Sequence, residues 1–345
     1  MRAAVHVGQL LQPVPGGIGR YVRHLVEALP GAGVDVCTFA AGPDPGVPGY
    51  VDLGQPTGPA RYELWHRFRR PAVPAVKAPG DVVHATSLAV PPAGRRPLVV
   101  TVHDIVFLRF PEHLTKRGVA FHRRGLEIAR REGATIVVPT EYGREDLARE
   151  GVDPAHVHVA PHGVEAPELG GTPPVDGPYL LFVGTIEPRK GVLDLLEAHA
   201  RLRASHPDLG LVLAGPVGWG TPPDADRPGV HVVGNLPDDA LDAAYRHAAA
   251  FALPSRYEGF AFPVVEAMAR GCPVVTSDAA CLPEVGGGAT VVVPTGDVAA
   301  LTDALDGIVR NGSPLVDAAR ARAAEFTWER SAAAHRAAYE AALAS

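Results

Sequence analysis

Cysteine is scarce in this 345-residue chain. Cys37, Cys272 and Cys281 stand singly, which excludes a disulfide framework and a cysteine-rich zinc site. No run approaches the ~18 apolar residues of a membrane-spanning helix. The N-terminus holds one arginine and then a strand-like Ala3–Val7, with no extended apolar core or small-residue cleavage site, so no signal peptide is expected. Lysine is rare too: Lys77, Lys116 and Lys190 are the only ones, and arginine carries the basic charge. Neither a Walker pattern nor an H-E-x-x-H pair occurs. Together these absences predict a cytoplasmic, soluble globular protein.

Glycine and proline, by contrast, are plentiful. The 38 glycines and 35 prolines make about a fifth of the chain, against about 12% on average. They follow no period, which indicates many turns rather than a fibrous repeat. Hydrophobic residues at 46% and charged residues at 20% supply material for buried cores and argue against disorder. At roughly 100–200 residues per domain, the length suggests two domains. The net charge of −6 is unevenly spread: residues 1–165 carry 19 Lys+Arg against 16 Asp+Glu, and residues 166–345 carry 13 against 22. The first half is only mildly basic, so nucleic acid is not an expected partner.

Short β-branched runs alternate with helical stretches. In the first half the runs are Ala3–Val7, Val34–Phe39, Asp81–Ala85, Leu98–His103, Ala134–Pro139 and His156–Ala160, with helices over Gly19–Leu29, Thr115–Glu132 and Glu141–Glu150. The pattern restarts at Tyr179–Val183 and continues through Gly210–Ala214, Val230–Val233, Ala250–Leu253, Pro273–Thr276 and Ala289–Val293. Continuous apolar strands alternating with helices predict parallel sheets covered on both faces. Two such series predict an α/β protein of two doubly wound, Rossmann-like domains facing across a cleft. The expected domains are 1–165, joined by a C-terminal helix over 328–345, and 178–327, with a Gly- and Pro-rich linker at 166–177. Ligands of open α/β sheets bind at the carboxyl ends of strands, so the loops there are where chemistry is expected.

After the first strand comes Pro15-Gly16-Gly17-Ile18-Gly19, a turn in which backbone can approach an anion beside a helix start; a purely structural glycine turn remains the alternative. His103-Asp104 follows the fourth run and can hydrogen-bond a polar ligand or serve packing alone. In the second half Gly184-Thr185-Ile186-Glu187-Pro188-Arg189-Lys190-Gly191 places two cations before a helix. An arginine fork and a lysine point charge beside a helix N-terminus suit a diphosphate, although a solvated turn would read the same. The segment Ser255-Arg256-Tyr257-Glu258-Gly259-Phe260-Ala261-Phe262-Pro263-Val264-Val265-Glu266 runs from loop into helix, with Pro263 at the first helical position. Glu258 and Glu266, too far apart to touch as an i,i+4 pair, would grip different parts of one ligand. Two carboxylates also suit glycoside hydrolysis, but that reaction has no use for the Arg189–Lys190 pair.

Arg189-Lys190-Gly191, the Glu258-to-Glu266 segment, Gly271-Cys272-Pro273-Val274 and Leu282-Pro283-Glu284-Val285 resemble the family 4 retaining glycosyltransferases (glycosyltransferase group 1) of GT-B fold. Gly16-Gly17, His103-Asp104 and Pro161-His162-Gly163-Val164 resemble that family's N-terminal motifs, in the same order. The resemblance implies transfer of a hexosyl group, a mannosyl group being the candidate from GDP-mannose, from a nucleotide diphosphate sugar to an acceptor hydroxyl with retained configuration. It implies no metal and no cofactor beyond the donor. By the same resemblance His103, Arg189, Lys190 and Glu258 form the catalytic set, and Gly16, Gly17, Gly259, Phe260, Ala261, Phe262 and Glu266 bind the donor. The chain departs from the family at Thr185, where many members carry arginine, and at Ala261, where the usual residue is glycine. A non-catalytic partner subunit and a sugar-nucleotide epimerase are the alternatives. The acceptor is a glycan, a lipid-linked sugar or a small molecule. The basic, aromatic stretch Arg61–Arg70 is read either as an exposed helix with a packed Trp65 or as a peripheral contact with the inner face of the membrane.

Overall fold

A computed structural model describes residues 1–167, 170–218 and 227–345. The chain forms two compact units, Met1–Gly163 together with Thr327–Ser345, and Val164–Phe326. Of the segment 166–177, residues 168–169 lie outside the described residues, and the rest groups with the second unit, where Gly171 lies directly against the Asp239 carbonyl.

The first unit is built on seven parallel strands: β1 (Arg2–His6), β2 (Asp35–Ala40), β3 (Val51–Asp52), β4 (Val82–Ala85), β5 (Leu98–Thr101), β6 (Thr135–Val138) and β7 (Val157–Val159), in the spatial order β3-β2-β1-β4-β5-β6-β7. The second unit repeats the plan with six: β8 (Tyr179–Val183), β9 (Gly210–Ala214), β10 (Val230–Gly234), β11 (Ala250–Leu253), β12 (Val274–Ser277) and β13 (Val291–Val293), ordered β10-β9-β8-β11-β12-β13. Strands β4, β5, β6, β9, β11 and β12 are buried at every position, as mainly apolar strands of a parallel sheet are, with His84, Thr101, Thr135, Thr276 and Ser277 the polar residues buried among them. In both sheets the order reverses beside the first strand, between β1 and β4 and between β8 and β11. Those are the switch points at which such sheets bind ligands.

Three local readings change. The run Leu98–His103 leaves the sheet at Thr101, which frees His103 from strand geometry. The helix expected from Gly19 starts at Gly16, so Gly16 and Gly17 form its first turn rather than a loop before it. The stretch Arg61–Arg70 is half structural: Arg61 is buried and donates to the Pro56 and Gly54 carbonyls, and Arg69 bridges Glu132 and the Val90 carbonyl. Arg67, Phe68 and Arg70 remain exposed.

The C-terminal helix Trp328–Ala344 packs on the first unit through one buried chain of hydrogen bonds. His335 Nδ1 lies 2.8 Å from the Ser331 carbonyl and must carry the proton there, which leaves Nε2 to accept from the Tyr21 hydroxyl at 2.8 Å. Tyr21 then accepts from Thr101, Thr101 accepts from His84 Nε2, and His84 Nδ1 accepts from Tyr339, each at 2.8 Å. The direction is forced, because each hydroxyl has one proton and a neutral imidazole has one N–H.

Candidate functional site

In the second unit the loops after β8 and β11, the two strands flanking the switch point, are locked together. Gly191 has φ +69°, and a Cβ there would stand 2.1 Å from the Pro254 carbonyl oxygen, so only glycine fits. The Arg256 amide donates to the Arg189 carbonyl at 2.8 Å, and Arg256 pairs with Asp194 at 3.0 Å. This lock brings Lys190 and Glu258, 68 positions apart, into contact: Lys190 Nζ donates to Glu258 Oε1 and Oε2 at 2.6 and 2.7 Å. Ser255 Oγ donates to Oε1 at 2.6 Å, and Arg189 Nη1 stands 3.6 Å from Oε2 while also donating to the Tyr257 carbonyl. Arg189 pairs in turn with Glu187.

Burial pushes the Glu258 carboxyl up, but Lys190, Arg189 and the bonds from Lys190 and Ser255 outweigh it and hold the group below its ordinary value of 4.5. The four charges cancel as they stand. Lys190 gives its bonds to one carboxylate, which leaves at least one ammonium N–H for a ligand oxygen. Below them the helix Val192–Leu202 begins with uncapped amides, and Arg189 and Lys190 occupy the turn before it. Cations at the positive end of a helix are unfavourable unless an anion joins them.

Phe260 and Ala261 are buried, and Ala261 holds a left-handed conformation, φ 62° and ψ 62°, as the cap of the helix Phe262–Ala269. No side chain caps that helix, and Pro263 has no N–H to lose there. Glu266, one turn in, is buried and accepts from the Tyr245 hydroxyl at 2.8 Å. Sequence reasoning missed Ser255, Tyr245 and Glu187. Ser255 stands three residues before Glu258 and was open to inference as a local donor; nothing in the sequence ties Tyr245 to Glu266.

In the first unit Gly16 and Gly17 are exposed at the start of the helix Gly16–Ala28, which no side chain caps. His103 is on the loop after β5. Its Nε2 donates to the Thr86 carbonyl at 2.9 Å, so its Nδ1 is the acceptor and faces His162 Nε2 at 3.3 Å. The Tyr21 ring packs edge-on against it at 4.9 Å. Burial lowers its pKa, against the Thr86 carbonyl and Asp104, which raise it. A neutral imidazole with both nitrogens engaged is a positioned group, not a proton donor.

Two family profiles match the chain: "Glycosyltransferase Family 4" over residues 15–167 and "Glycosyl transferases group 1" over residues 177–311. The MMP alpha-(1->4)-mannosyltransferase of Mycolicibacterium hassiacum is 31% identical over an alignment of 399 residues that covers 95% of each chain. This chain is a family 4, group 1 glycosyltransferase. The O-antigen chain mannosyltransferase B of Escherichia coli is 30% identical to this glycosyltransferase over 262 residues, 67% of each chain. Among solved structures, sucrose-phosphate synthase from Thermosynechococcus elongatus superposes on it with a TM-score of 0.74 at 22% identity, covering 100% of this chain and 99% of the other. The two parallel α/β units are those of a GT-B fold, and the glycosyltransferase is an enzyme.

Proposed function

We propose that this glycosyltransferase moves a mannosyl group from a nucleoside diphosphate sugar, GDP-mannose, to an acceptor hydroxyl, with retention and without a metal. The observation that carries the reading is the meeting of Arg189, Lys190 and Glu258 at the carboxyl ends of β8 and β11. There a diphosphate would find a guanidinium, an ammonium and the first amides of the helix Val192–Leu202. As the bond to the sugar breaks, charge grows on the departing phosphate oxygen, and donors fixed in place beforehand stabilise that charge most. Supplying it with Arg189 and Lys190 is what makes a metal dispensable. Glu258, kept ionised by the same two cations, accepts hydroxyls of the donor sugar, and Glu266, steadied by Tyr245, accepts those of the ribose. Gly259, Phe260, Ala261 and Phe262 lend backbone amides, and Gly16 and Gly17 begin an uncapped helix at the first unit's own switch point, a second place for donor oxygens. His103 acts by position.

The mannosyl assignment is supported by the two mannosyltransferase relatives. No helix among the described residues is long and apolar enough to cross a membrane. The cytoplasm is the proposed location, and the exposed Arg67, Phe68 and Arg70 form the surface that would touch a membrane's inner face. Thermal unfolding with GDP, UDP, ADP and dTDP tests the donor. GDP at 100 times its Kd should stabilise by about 2.7 kcal/mol, and a larger shift with another nucleotide would remove the guanosine assignment. NMR of the product's anomeric proton then reads retention directly.

A further inference from the structure

The motif Pro161-His162-Gly163-Val164 has no part in the proposed donor site, yet the structure builds it with care. His162 and Gly163 end the main stretch of the first unit, and His162 is only 2% exposed. The backbone after His162 runs against the start of the C-terminal helix. A Cβ on Gly163 would stand 2.4 Å from the Trp328 amide nitrogen and 2.6 Å from Trp328 Cγ, so only glycine allows that approach. The Trp328 ring then lies nearly parallel to the His162 ring, at 24° and 6.4 Å, and the Tyr21 ring packs on His162 from 4.6 Å. Tyr21 is itself pinned through its hydroxyl by Thr101 and His335. So held, His162 presents its Nε2 to His103 Nδ1 at 3.3 Å.

Proton counting gives that contact a direction. The Thr86 carbonyl can only accept, so its bond of 2.9 Å places the His103 proton on Nε2. In a neutral ring Nδ1 is then an acceptor, and a hydrogen bond forms only if His162 Nε2 carries the other proton. Burial lowers the pKa of both rings, and Thr86 and Asp104, which raise His103, do not offset it. Asp104 turns Oδ1 to the Val106 amide at 2.9 Å. A second proton on His103 would have to sit on Nδ1, facing the His162 N–H, so the pair resists protonation. Thr86 alone would leave the His103 ring free to swing about a single bond; a donor at Nδ1 makes the hold two-ended.

We propose that His162 is a positioning residue of the transfer reaction, its Nε2–H donating to His103 Nδ1 so that the His103 ring is fixed at both ends, with Gly163 and Trp328 holding His162 in place. The proposal rests on the reading that puts His103 in the catalytic set. The consequence for transfer is electrostatic as well as geometric. As the phosphate departs the sugar carbon becomes electron-poor, and a neutral imidazole does not oppose that charge as an imidazolium would.

Nitrogen NMR of the whole chain with labelled histidines, at neutral pH, reads the pair directly. His162 should carry its proton on Nε2 and His103 should show a hydrogen-bonded, unprotonated Nδ1. A proton on His162 Nδ1 instead overturns the proposal without any variant. His162→Phe keeps a ring and removes the donor, and should shift the His103 Nδ1 signal; His162→Gln supplies an amide N–H and should restore it. Nucleotide release from the mannose and glucose diphosphates of guanosine, uridine, adenosine and thymidine, with water as acceptor, is the kinetic arm. On the donor that the wild type turns over fastest, His162→Phe should raise KM about tenfold and lower kcat less, with His162→Gln within about threefold of the wild type. Should His162→Phe fail to melt cooperatively, His162→Leu takes its place. An unchanged KM, or a folded His162→Gln no better than His162→Phe, overturns the proposal. His103→Ala separates the two readings. If it matches the wild type, His103 leaves the catalytic set and the proposal falls with it; if it is impaired beside an unimpaired His162→Phe, the proposal alone falls.

Discussion

Lys190 is held by a carboxylate that is itself buried, so removing it has two effects of different kind. Lys190→Ala strips the proposed leaving group of one donor, and transfer should fall about 10²–10³-fold. It also strands part of the Glu258 charge, which Ser255 and Arg189 alone must then satisfy; urea unfolding should show a loss of about 2–3 kcal/mol. Glu266→Ala should abolish transfer while the protein still folds, at a cost of about 1–3 kcal/mol for the lost buried bond from Tyr245. Full activity in both variants would remove the donor site. Ala261 illustrates strain at the same place: its left-handed backbone costs about 1 kcal/mol in a residue with a Cβ. Ala261→Gly relieves that strain while loosening the unfolded chain, so it should cost less than the about 1 kcal/mol expected for Ala333→Gly at an exposed point of the C-terminal helix.

Among elements, the helix Trp328–Ala344 is placed by a buried polar chain as well as by apolar contact. The run from Ser331 through His335, Tyr21, Thr101 and His84 to Tyr339 has one proton per link. Tyr339→Phe keeps the shape and deletes the terminal donor, leaving the buried acceptor His84 Nδ1 without its hydrogen bond. A loss of about 1–3 kcal/mol in the first unit is expected, measurable by amide hydrogen exchange in β4 and β5. An unchanged exchange rate would show that the chain contributes nothing net. The same chain holds Tyr21 against His103, so the variant should also raise the donor KM more than it lowers kcat.

For the whole molecule, the buried histidines whose values burial lowers are concentrated in the first unit, with His199 as the counterpart in the second. Burial lowers His6 to about 3, and burial together with nearby arginines lowers His66 to about 4. His335 also sits at about 4, chiefly through burial, and His84 and His162 are driven down by burial and neighbouring imidazoles. All of these belong to the first unit. A histidine with a folded value of about 4 and an ordinary value of 6.5 binds its proton more readily when unfolded. Stability is therefore full above pH 6.5 and declines as the pH falls toward 4. His335 alone should cost about 2 kcal/mol at pH 5. Glu258, in the second unit, loses its contribution only as the pH drops below its ordinary 4.5. Denaturation at pH 5 should thus unfold the first unit before the second, and a single transition at every pH would contradict this.

Much of the architecture was legible because a parallel sheet buries both faces of its strands: runs such as Tyr179–Val183 and Gly210–Ala214 are apolar throughout, and the structure begins and ends them at those residues. The two-residue strand β3 was too short to show a pattern, whereas the helix with a packed Trp65 read in the basic stretch is present over Gly58–Phe68; what the sequence did not show is that its arginines have opposite fates, Arg61 inward and Arg67 outward. The motifs around Arg189 and Glu258 marked a candidate site from sequence alone, since residue type and a strand–loop–helix setting suffice for that. What neutralises them was decided by tertiary structure. Lys190 meets Glu258, Glu266 meets Tyr245 and His103 meets Thr86 because parallel strands deliver distant loops to one edge of a sheet, and a local pattern carries no information about partners brought together in that way.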